Sequence, residues 1–391
     1  MYTSTPKTLA LALLATGTAS ATNHTAMTRA VTALTTLQTY YNPTTGIWNT
    51  CGWWNGANCL TTLANLATKN STVNATIATG VIENTFRVAT NTNPYPARGI
   101  DADYTAANGT AYTIAGQPTG AANASLWLDG SYDDDMWWGM AWVAAYDVTG
   151  VSDYLDLAEG VFYHLSRAWP SLCGNGGLDS DYTHVYVGAI SNELFLALGA
   201  SLANRVATNS SRQYYLDWAE RQWAWFASSG LINANHTIND GLTAACTNNG
   251  MTVWSYNQGV ILGGLVELHR ATGSPAANST YLAAAGRIAQ GAIAALADED
   301  GVIHESCEPD ACDSNETQFK GIFVRNLKVL QGVAPNETYA RVINASAASL
   351  WANDRTDATG FGVDWSGPVD AATVNASTQS SALDALVAAI W

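Results

Sequence analysis

Charge is scarce in this sequence. Only 12% of its 391 residues are charged, and only four are lysine: Lys7, Lys69, Lys320 and Lys328. Sixteen basic residues against 32 acidic ones leave a net charge of −16. Such a chain is repelled by nucleic acid and by anionic membrane surfaces, so neither is an expected partner. Other absences narrow the field. No stretch after the N-terminal segment is apolar and long enough to span a bilayer, so no stable membrane insertion is expected. A serine hydrolase lacks its GxSxG elbow, and the six histidines stand singly at 24, 164, 184, 236, 269 and 304. There is no CxxC pair to frame a zinc site. The GNGG at 174–177 lacks the strand-then-helix context of a nucleotide loop and reads as a turn.

Apolar and aromatic residues are abundant instead: 48% of the chain is hydrophobic, with 15 tryptophans and 17 tyrosines. That is ample for a large core, and aromatic faces also stack on the apolar faces of sugar rings. The first residues carry one cation (Lys7), an apolar run from Leu9 to Ala15 and an Ala19-Ser20-Ala21 end. This pattern reads as a secretory signal peptide over 1–21, leaving 22–391 as a single domain. Twelve N-x-S/T sequons, at Asn23, Asn70, Asn74, Asn108, Asn123, Asn209, Asn235, Asn278, Asn315, Asn336, Asn344 and Asn375, agree with a secreted or wall-located glycoprotein. The closing ALDALVAAIW predicts an amphipathic terminal helix and is short for a glycolipid-anchor signal. Six cysteines suit an oxidising compartment and allow fifteen pairings. The short loops Cys51–Cys59 and Cys307–Cys312 are the natural choice, leaving Cys173 with Cys246.

Helical periodicity recurs throughout, and strand alternation hardly at all. Helices are predicted near 25–41, 54–69, 79–93, 134–148, 152–168 and 187–206. Six more are predicted near 212–228, 255–272, 278–297, 318–332, 336–353 and 377–390. Asp153 and Ser211 look like N-terminal caps, and Gly150, Gly230 and Gly273 mark stops. Twelve helices, no sheet and no repeat of fixed length predict an all-α toroid of six hairpins, an (α/α)6 barrel. WWGMAWVAAY and NQGVILGGLVEL are apolar all round, as inner helices of such a ring must be. Long Gly-, Asn- and Thr-rich loops at 94–132 and 229–254 are of the kind that build clefts.

The chemistry gathers in SYDDDMWWGMAW, residues 131–142. Helix capping accounts for one or two aspartates at a first turn. Here Met136, Trp137 and Trp138 follow at once, so the carboxylates enter apolar surroundings and crowd one another. One pKa must then rise, as a general acid requires, while a neighbour stays ionised. Retaining glycoside hydrolysis uses such a pair about 5–5.5 Å apart. A magnesium-binding DDxxD site fails at its fifth position, which is Trp137. The fragments Asp179-Ser-Asp181 and Asp298-Glu-Asp300-Gly301 lack the twelfth-position carboxylate of a calcium loop. Neither a metal nor an organic cofactor is expected. WNTCGWWNGANCL, 48–60, sets Trp48, Trp53, Trp54, Asn55 and Asn58 at a loop–helix junction, where they either pack the core or build a sugar subsite. SYNQGV, 255–260, puts Tyr256, Asn257 and Gln258 at another helix start, and sugar hydroxyls are suitable partners for such amides.

WWNGANCLTTLANLA, DDDMWWGMAWVAAYDVTG, AISNELFLALGASLA, SYNQGVILGGLVELHRATG and QFKGIFVRNL occur in that order across most of residues 25–391. Together they make the sequence resemble glycoside hydrolase family 76, the retaining endo-α-1,6-mannanases and their fungal wall-assembly relatives. The resemblance implies an (α/α)6 barrel, secretion, and hydrolysis or transglycosylation of α-1,6-linked mannose. The family's Asp-Asp pair is followed two residues on by an aromatic and then usually tryptophan. That spacing selects Asp133 as nucleophile and Asp134 as acid/base; a frame shifted by one selects Asp134 and Asp135. Trp137, Asn192 and Lys320 fall within matching segments and are carried over as substrate-binding residues. Relatives commonly show Gly-Gly-Ile-Trp-Trp and a Lys-Asn pair where this chain has GGLDSD (176–181) and Val187-Gly188. Asp179 and Asp181 there are either hydrogen-bonding replacements or plain loop. The expectation is a monomeric α-1,6-mannan hydrolase. The alternatives are a transglycosylase acting on the mannose core of a glycolipid anchor and a non-catalytic mannan-binding wall protein.

Overall fold

The computed structural model describes residues 7–96, 98, 123–276, 279–309 and 312–391, with side chains from residue 23 onward. The start of the expected signal peptide, the sequons Asn108 and Asn278, and most of the 94–132 loop lie outside the described residues.

All twelve expected helices are present. They are α1 (Lys7–Gln38), α2 (Trp53–Lys69), α3 (Thr79–Val88), α4 (Tyr132–Thr149), α5 (Ser152–Arg167) and α6 (Ala189–Ala203), followed by α7 (Asn209–Ser228), α8 (Ser255–Thr272), α9 (Thr280–Leu296), α10 (Phe319–Val333), α11 (Glu337–Asn353) and α12 (Ala376–Ala388). The even-numbered helices form an inner ring: α2 packs on α4, each inner helix on the next, and α12 closes on α2. The odd-numbered helices lie outside them, completing an (α/α)6 barrel. Two short antiparallel pairs, β1 (Tyr41–Asn42) with β2 (Ile47–Trp48) and β3 (Val187–Gly188) with β4 (Gly241–Leu242), tie down loops.

Inner helices have no solvent face. All fifteen residues of α6 and all thirteen of α12 are buried. This corrects the amphipathic reading of α12. Its serines, threonine and glutamine face neighbouring helices rather than water. Ser377 Oγ donates to Gln318 Oε1 (3.2 Å), Gln318 Nε2 donates to Ser380 Oγ (3.1 Å), and Ser381 Oγ accepts from the Gly321 N–H (2.9 Å). Small polar residues let helices approach closely while these buried hydroxyl and amide groups keep partners.

The predicted stops at Gly150 and Gly273 are left-handed C-caps with φ near +70° and +65°. Two N-caps differ from expectation. Helix α7 starts earlier and is capped by Thr208, whose side chain accepts from Ser211 N; Asp153 lies inside the first turn of α5, behind Val151. Cys173–Cys246 and Cys307–Cys312 are disulfides, as expected. The third pair is not joined: Cys51 and Cys59 are thiols, Cys51 Sγ donating to Trp48 O and Cys59 Sγ, on the buried side of α2, to Ala376 O.

Close packing of α10 on α12 generates a test. A Cβ at Gly321 would stand 2.5 Å from Ser381 O, whereas one at Gly80 on α3 would meet nothing within 4 Å. Gly321→Ala should destabilise by about 1–3 kcal/mol through overpacking. Gly80→Ala should be neutral or stabilise by up to about 1 kcal/mol. Urea unfolding of the two variants beside the parent checks both signs.

Candidate active site

The inner helices bring their N-terminal ends together at one mouth of the barrel. Trp54 of α2 stacks on Trp137 of α4 (5.7 Å between ring centres) and lies against Phe319 of α10 (6.1 Å); Phe319 in turn stacks face to face on Tyr256 of α8 (3.8 Å). Behind this rim the tryptophan excess has a packing role. Trp53, Trp127, Trp138 and Trp142 form one cluster with Phe86 and Tyr154, ring centres 4.6–6.1 Å apart along most contacts. Trp127 and Leu128, both fully buried, lead directly to Asp129.

Asp129 joins the three aspartates at the start of α4, making a cluster of four carboxylates. Its Oδ1 accepts from Ser131 N (2.9 Å), and its own N–H donates to Asp135 Oδ1 (2.8 Å). Ser131 Oγ donates to Asp133 Oδ1 (2.8 Å). Asp135 is fully buried; Asp133 and Asp134 are half-buried. The loop carrying Asp129 is held from the other side, where Tyr132 N donates to Ser180 O (2.9 Å) and Tyr182 N to Gly130 O (3.0 Å).

Burial dominates the electrostatics. It pushes the Asp134 carboxyl well above the usual carboxylate range, with further repulsion from Asp133, Asp129 and Asp135. Asp133 is also raised by burial, but the Ser131 hydroxyl and the free N–H groups of the first turn act against the rise. Asp135 is pushed well up by burial and by Asp129. Asp129 is raised by burial and steadied by Ser131 N and by its contacts with Asp134 and Asp135. An arrangement of this kind holds one carboxyl protonated beside another that ionises more readily.

Tyr256 belongs to the same mouth. Its hydroxyl is held neutral by burial first and then by the negative charges of Asp133, Asp240, Glu193 and Glu305. Deeper in the ring, both oxygens of Glu193 and both amide atoms of Asn257 are buried without partners among the described residues, as is Glu305 Oε2. Glu193 is pushed well up by burial, and Glu305 is raised to about 8 by burial. Unsatisfied buried groups of this kind are suited to hydroxyls of a bound molecule.

The structure therefore brings Asp133, Asp134, Tyr256 and Trp54 together at one mouth, with Asn257 below. Several other expected substrate contacts are spent inside the protein. Asn55 is the N3 residue of α2, its Oδ1 accepting from Gly52 N and its Nδ2 donating to Ser377 Oγ. Asn58 accepts from Arg325 (2.7 Å) and donates to Trp54 O. Asn192 holds both backbone groups of Leu178 and accepts from Gln222. Gln258 clamps both backbone groups of Ile238. Lys320 is 3% exposed, ion-paired with Glu308 (2.5 Å), bonded to Val363 O and set over the Trp365 ring. Trp137 is 2% exposed and lines a separate axial cavity. These contacts hold each residue against a neighbouring helix or loop.

In the divergent GGLDSD segment, Asp179 accepts from Leu172 N (2.9 Å) and pairs with His184 (2.7 Å), while Asp181 caps Thr183 N; both organise the loop. Sequence reasoning missed Asp129, Glu193, Glu305 and Phe319. Phe319 and Glu193 sit in the segments QFKGIFVRNL and AISNELFLALGASLA, and Asp129 lies four residues before the aspartate run at Asp133. Glu305 had no local signal. As for metal, His304, Glu308 and Asp364 bring ligand atoms within 4.8 Å of one another, but Lys320 Nζ already neutralises Glu308.

Comparison with known proteins bears on this site. The sequence profile described as Glycosyl hydrolase family 76 matches residues 19–390. Mannan endo-1,6-alpha-mannosidase DCW1 of Saccharomyces cerevisiae is 28% identical over 283 residues, covering 65% of this chain and 59% of that protein. The chain thus spans little more than half the length of the curated relatives it matches. Dfg5 from Chaetomium thermophilum, solved in complex with glucosamine, superposes with a TM-score of 0.71 at 20% identity, covering 93% of this chain and 90% of that one. An inactive variant of the alpha-1,6-mannanase GH76A of a Salegentibacter species, two consecutive aspartates replaced by alanine, was solved with alpha-1,6-mannotetrose. It superposes with a TM-score of 0.71 at 18% identity, over 93% of this chain and 98% of that one. These last two likenesses concern the fold. The match over nearly the whole length, on a barrel whose inner-helix ends carry a run of aspartates, means that the chain belongs to glycosyl hydrolase family 76.

Proposed function

We propose that the protein is a secreted retaining glycoside hydrolase that cleaves α-1,6-mannosidic linkages of mannan, with Asp133 as nucleophile and Asp134 as acid/base. The observation that carries this reading is the unequal pair itself: two adjacent half-buried carboxylates, one pushed well up and the other partly held down by Ser131 and the helix N-terminus. Relatives named for mannan endo-1,6-alpha-mannosidase activity support the substrate, and the paired-aspartate inactive variant of the mannanase supports the pair. Asp135 is fully buried and engaged with Asp129, which favours the 133/134 frame over 134/135.

Chemically, the Asp133 carboxylate attacks the anomeric carbon while the glycosidic C–O bond breaks and the Asp134 proton passes to the leaving oxygen. Asp134, now a carboxylate, takes a proton from water as that water displaces Asp133 and regenerates both groups. Two inversions leave the configuration retained. A sugar hydroxyl entering in place of water would give transglycosylation by the same steps. Incubation with and without an acceptor oligosaccharide, followed by product analysis, separates the two outcomes; a protein that binds oligomannose but releases no reducing ends contradicts both.

Asp133→Asn and Asp134→Asn should each lower kcat/KM on linear α-1,6-mannan roughly a hundredfold to ten-thousandfold. Asp135→Asn should keep most of the rate. Near-inactive Asp135→Asn with active Asp133→Asn would move the pair by one residue. NMR of the first-formed product should show the α-anomer, and a β-anomer would exclude retention.

The pH profile follows from the shifts. Asp133 must be ionised, so activity falls as pH drops through its raised pKa. Asp134 must be protonated, so activity falls as pH rises through its own, higher one. The bell should therefore lie above the ordinary carboxylate range, and Asp134→Asn should abolish its alkaline limb. Initial rates across pH 3 to about 9 test this.

A further inference from the structure

The opposite mouth of the barrel holds a cavity of about 380 Å³ among the C-terminal halves of the inner helices. That volume suits a small molecule. None of Asp129, Asp133, Asp134 or Asp135 lines it; Trp137 forms part of its inner wall. In a chain with only sixteen basic residues, five of them line this cavity: Lys69, Arg205, Arg270, Arg325 and Lys328.

Three of the five are neutralised locally. Arg205 is gripped by Asp147 (2.7 Å) and Glu267 (3.1 Å), Arg270 by Glu267 (2.6 Å), and Arg325 by Asp384 (2.9 Å). Lys69 at the end of α2 and Lys328 on α10 have no carboxylate partner among the described residues. Lys328 Nζ instead lies 3.2 Å from the centre of the Trp391 ring. Compensation of helix dipoles explains cations in last turns, such as Lys69. It does not explain Lys328, which stands more than a turn before Val333, where α10 ends, and close enough to Lys69 for the two to repel.

We propose that this cavity is a second ligand site, distinct from the carboxylate pair, that takes a small oxyanion, a phosphate or sulfate group, between Lys69 and Lys328. Such an anion supplies the counter-charge that neither lysine finds in a carboxylate of the described residues. Burial and Lys69 together lower Lys328 to about 8, and burial lowers Lys69. The remaining charges around them, Asp147, Arg205, Glu267, Arg270, Arg325 and Asp384, are already paired, and Asp384, raised by burial to about 6, titrates below the window from pH 7 to pH 9 in which Lys328 responds.

Calorimetric titration of the full chain with sodium sulfate, whose charge is constant in this range, tests the site. One-to-one saturable binding should be about tenfold tighter at pH 7 than at pH 9, following protonation of Lys328. Lys328→Arg should keep the binding and flatten that dependence, and Lys69→Met with Lys328→Met should abolish binding in a chain whose thermal transition is retained. Inorganic phosphate and mannose 6-phosphate as parallel probes distinguish a free ion from a group carried on a sugar. Absence of saturable sulfate binding at pH 7, or binding unchanged in both the Lys328→Arg profile and the double variant, overturns the proposal.

Discussion

Four carboxyl groups held out of bulk water at one helix start are the constraint on which the rest depends. Asp129, Asp133, Asp134 and Asp135 would separate or hydrate if the chain let them. They are kept together by Ser131, by the first-turn N–H groups of α4 and by the bond from Asp129 N to Asp135, all set on a cluster of tryptophans that cannot yield without losing its packing. The cost of that burial appears as raised pKa values, and uneven hydrogen bonding makes the rise unequal. That inequality leaves one carboxyl more readily ionised than its neighbour, which is the arrangement the proposed acid and nucleophile require.

The barrel serves the cluster by geometry. Six inner helices closing on themselves bring six N-termini to one mouth, so residues from α2, α4, α8 and α10 meet there despite wide separation in sequence. The same closure brings six C-termini to the other mouth, where carbonyl ends favour cations. One architecture thereby produces an acidic site and a basic cavity at opposite ends of its axis, with Trp137 and Arg325 between them.

Much of this was legible in the sequence because the signals were local. Twelve periodic segments predicted twelve helices, and helices apolar on all sides could only be inner ones. The aspartates running into Trp137 and Trp138 announced desolvated carboxylates. What the sequence left open was which groups inside the protein the polar residues at helix starts bond to. Asn55, Asn58, Asn192, Gln258 and Lys320 join helices and loops, because most polar groups on a helix buried on every side find partners inside the protein. Serine-rich α12 looked amphipathic for the same reason. Glu193 and Glu305 were invisible as site residues, since only the closed ring brings them near Tyr256.

The central claim is that Asp133 is the nucleophile of a double displacement. Incubating the protein with an activated fluorinated mannoside, followed by peptide mapping, tests it most directly. A mannosyl ester on Asp133 is predicted. An ester on Asp134 or Asp135, or attachment at a residue outside this cluster, would contradict the account.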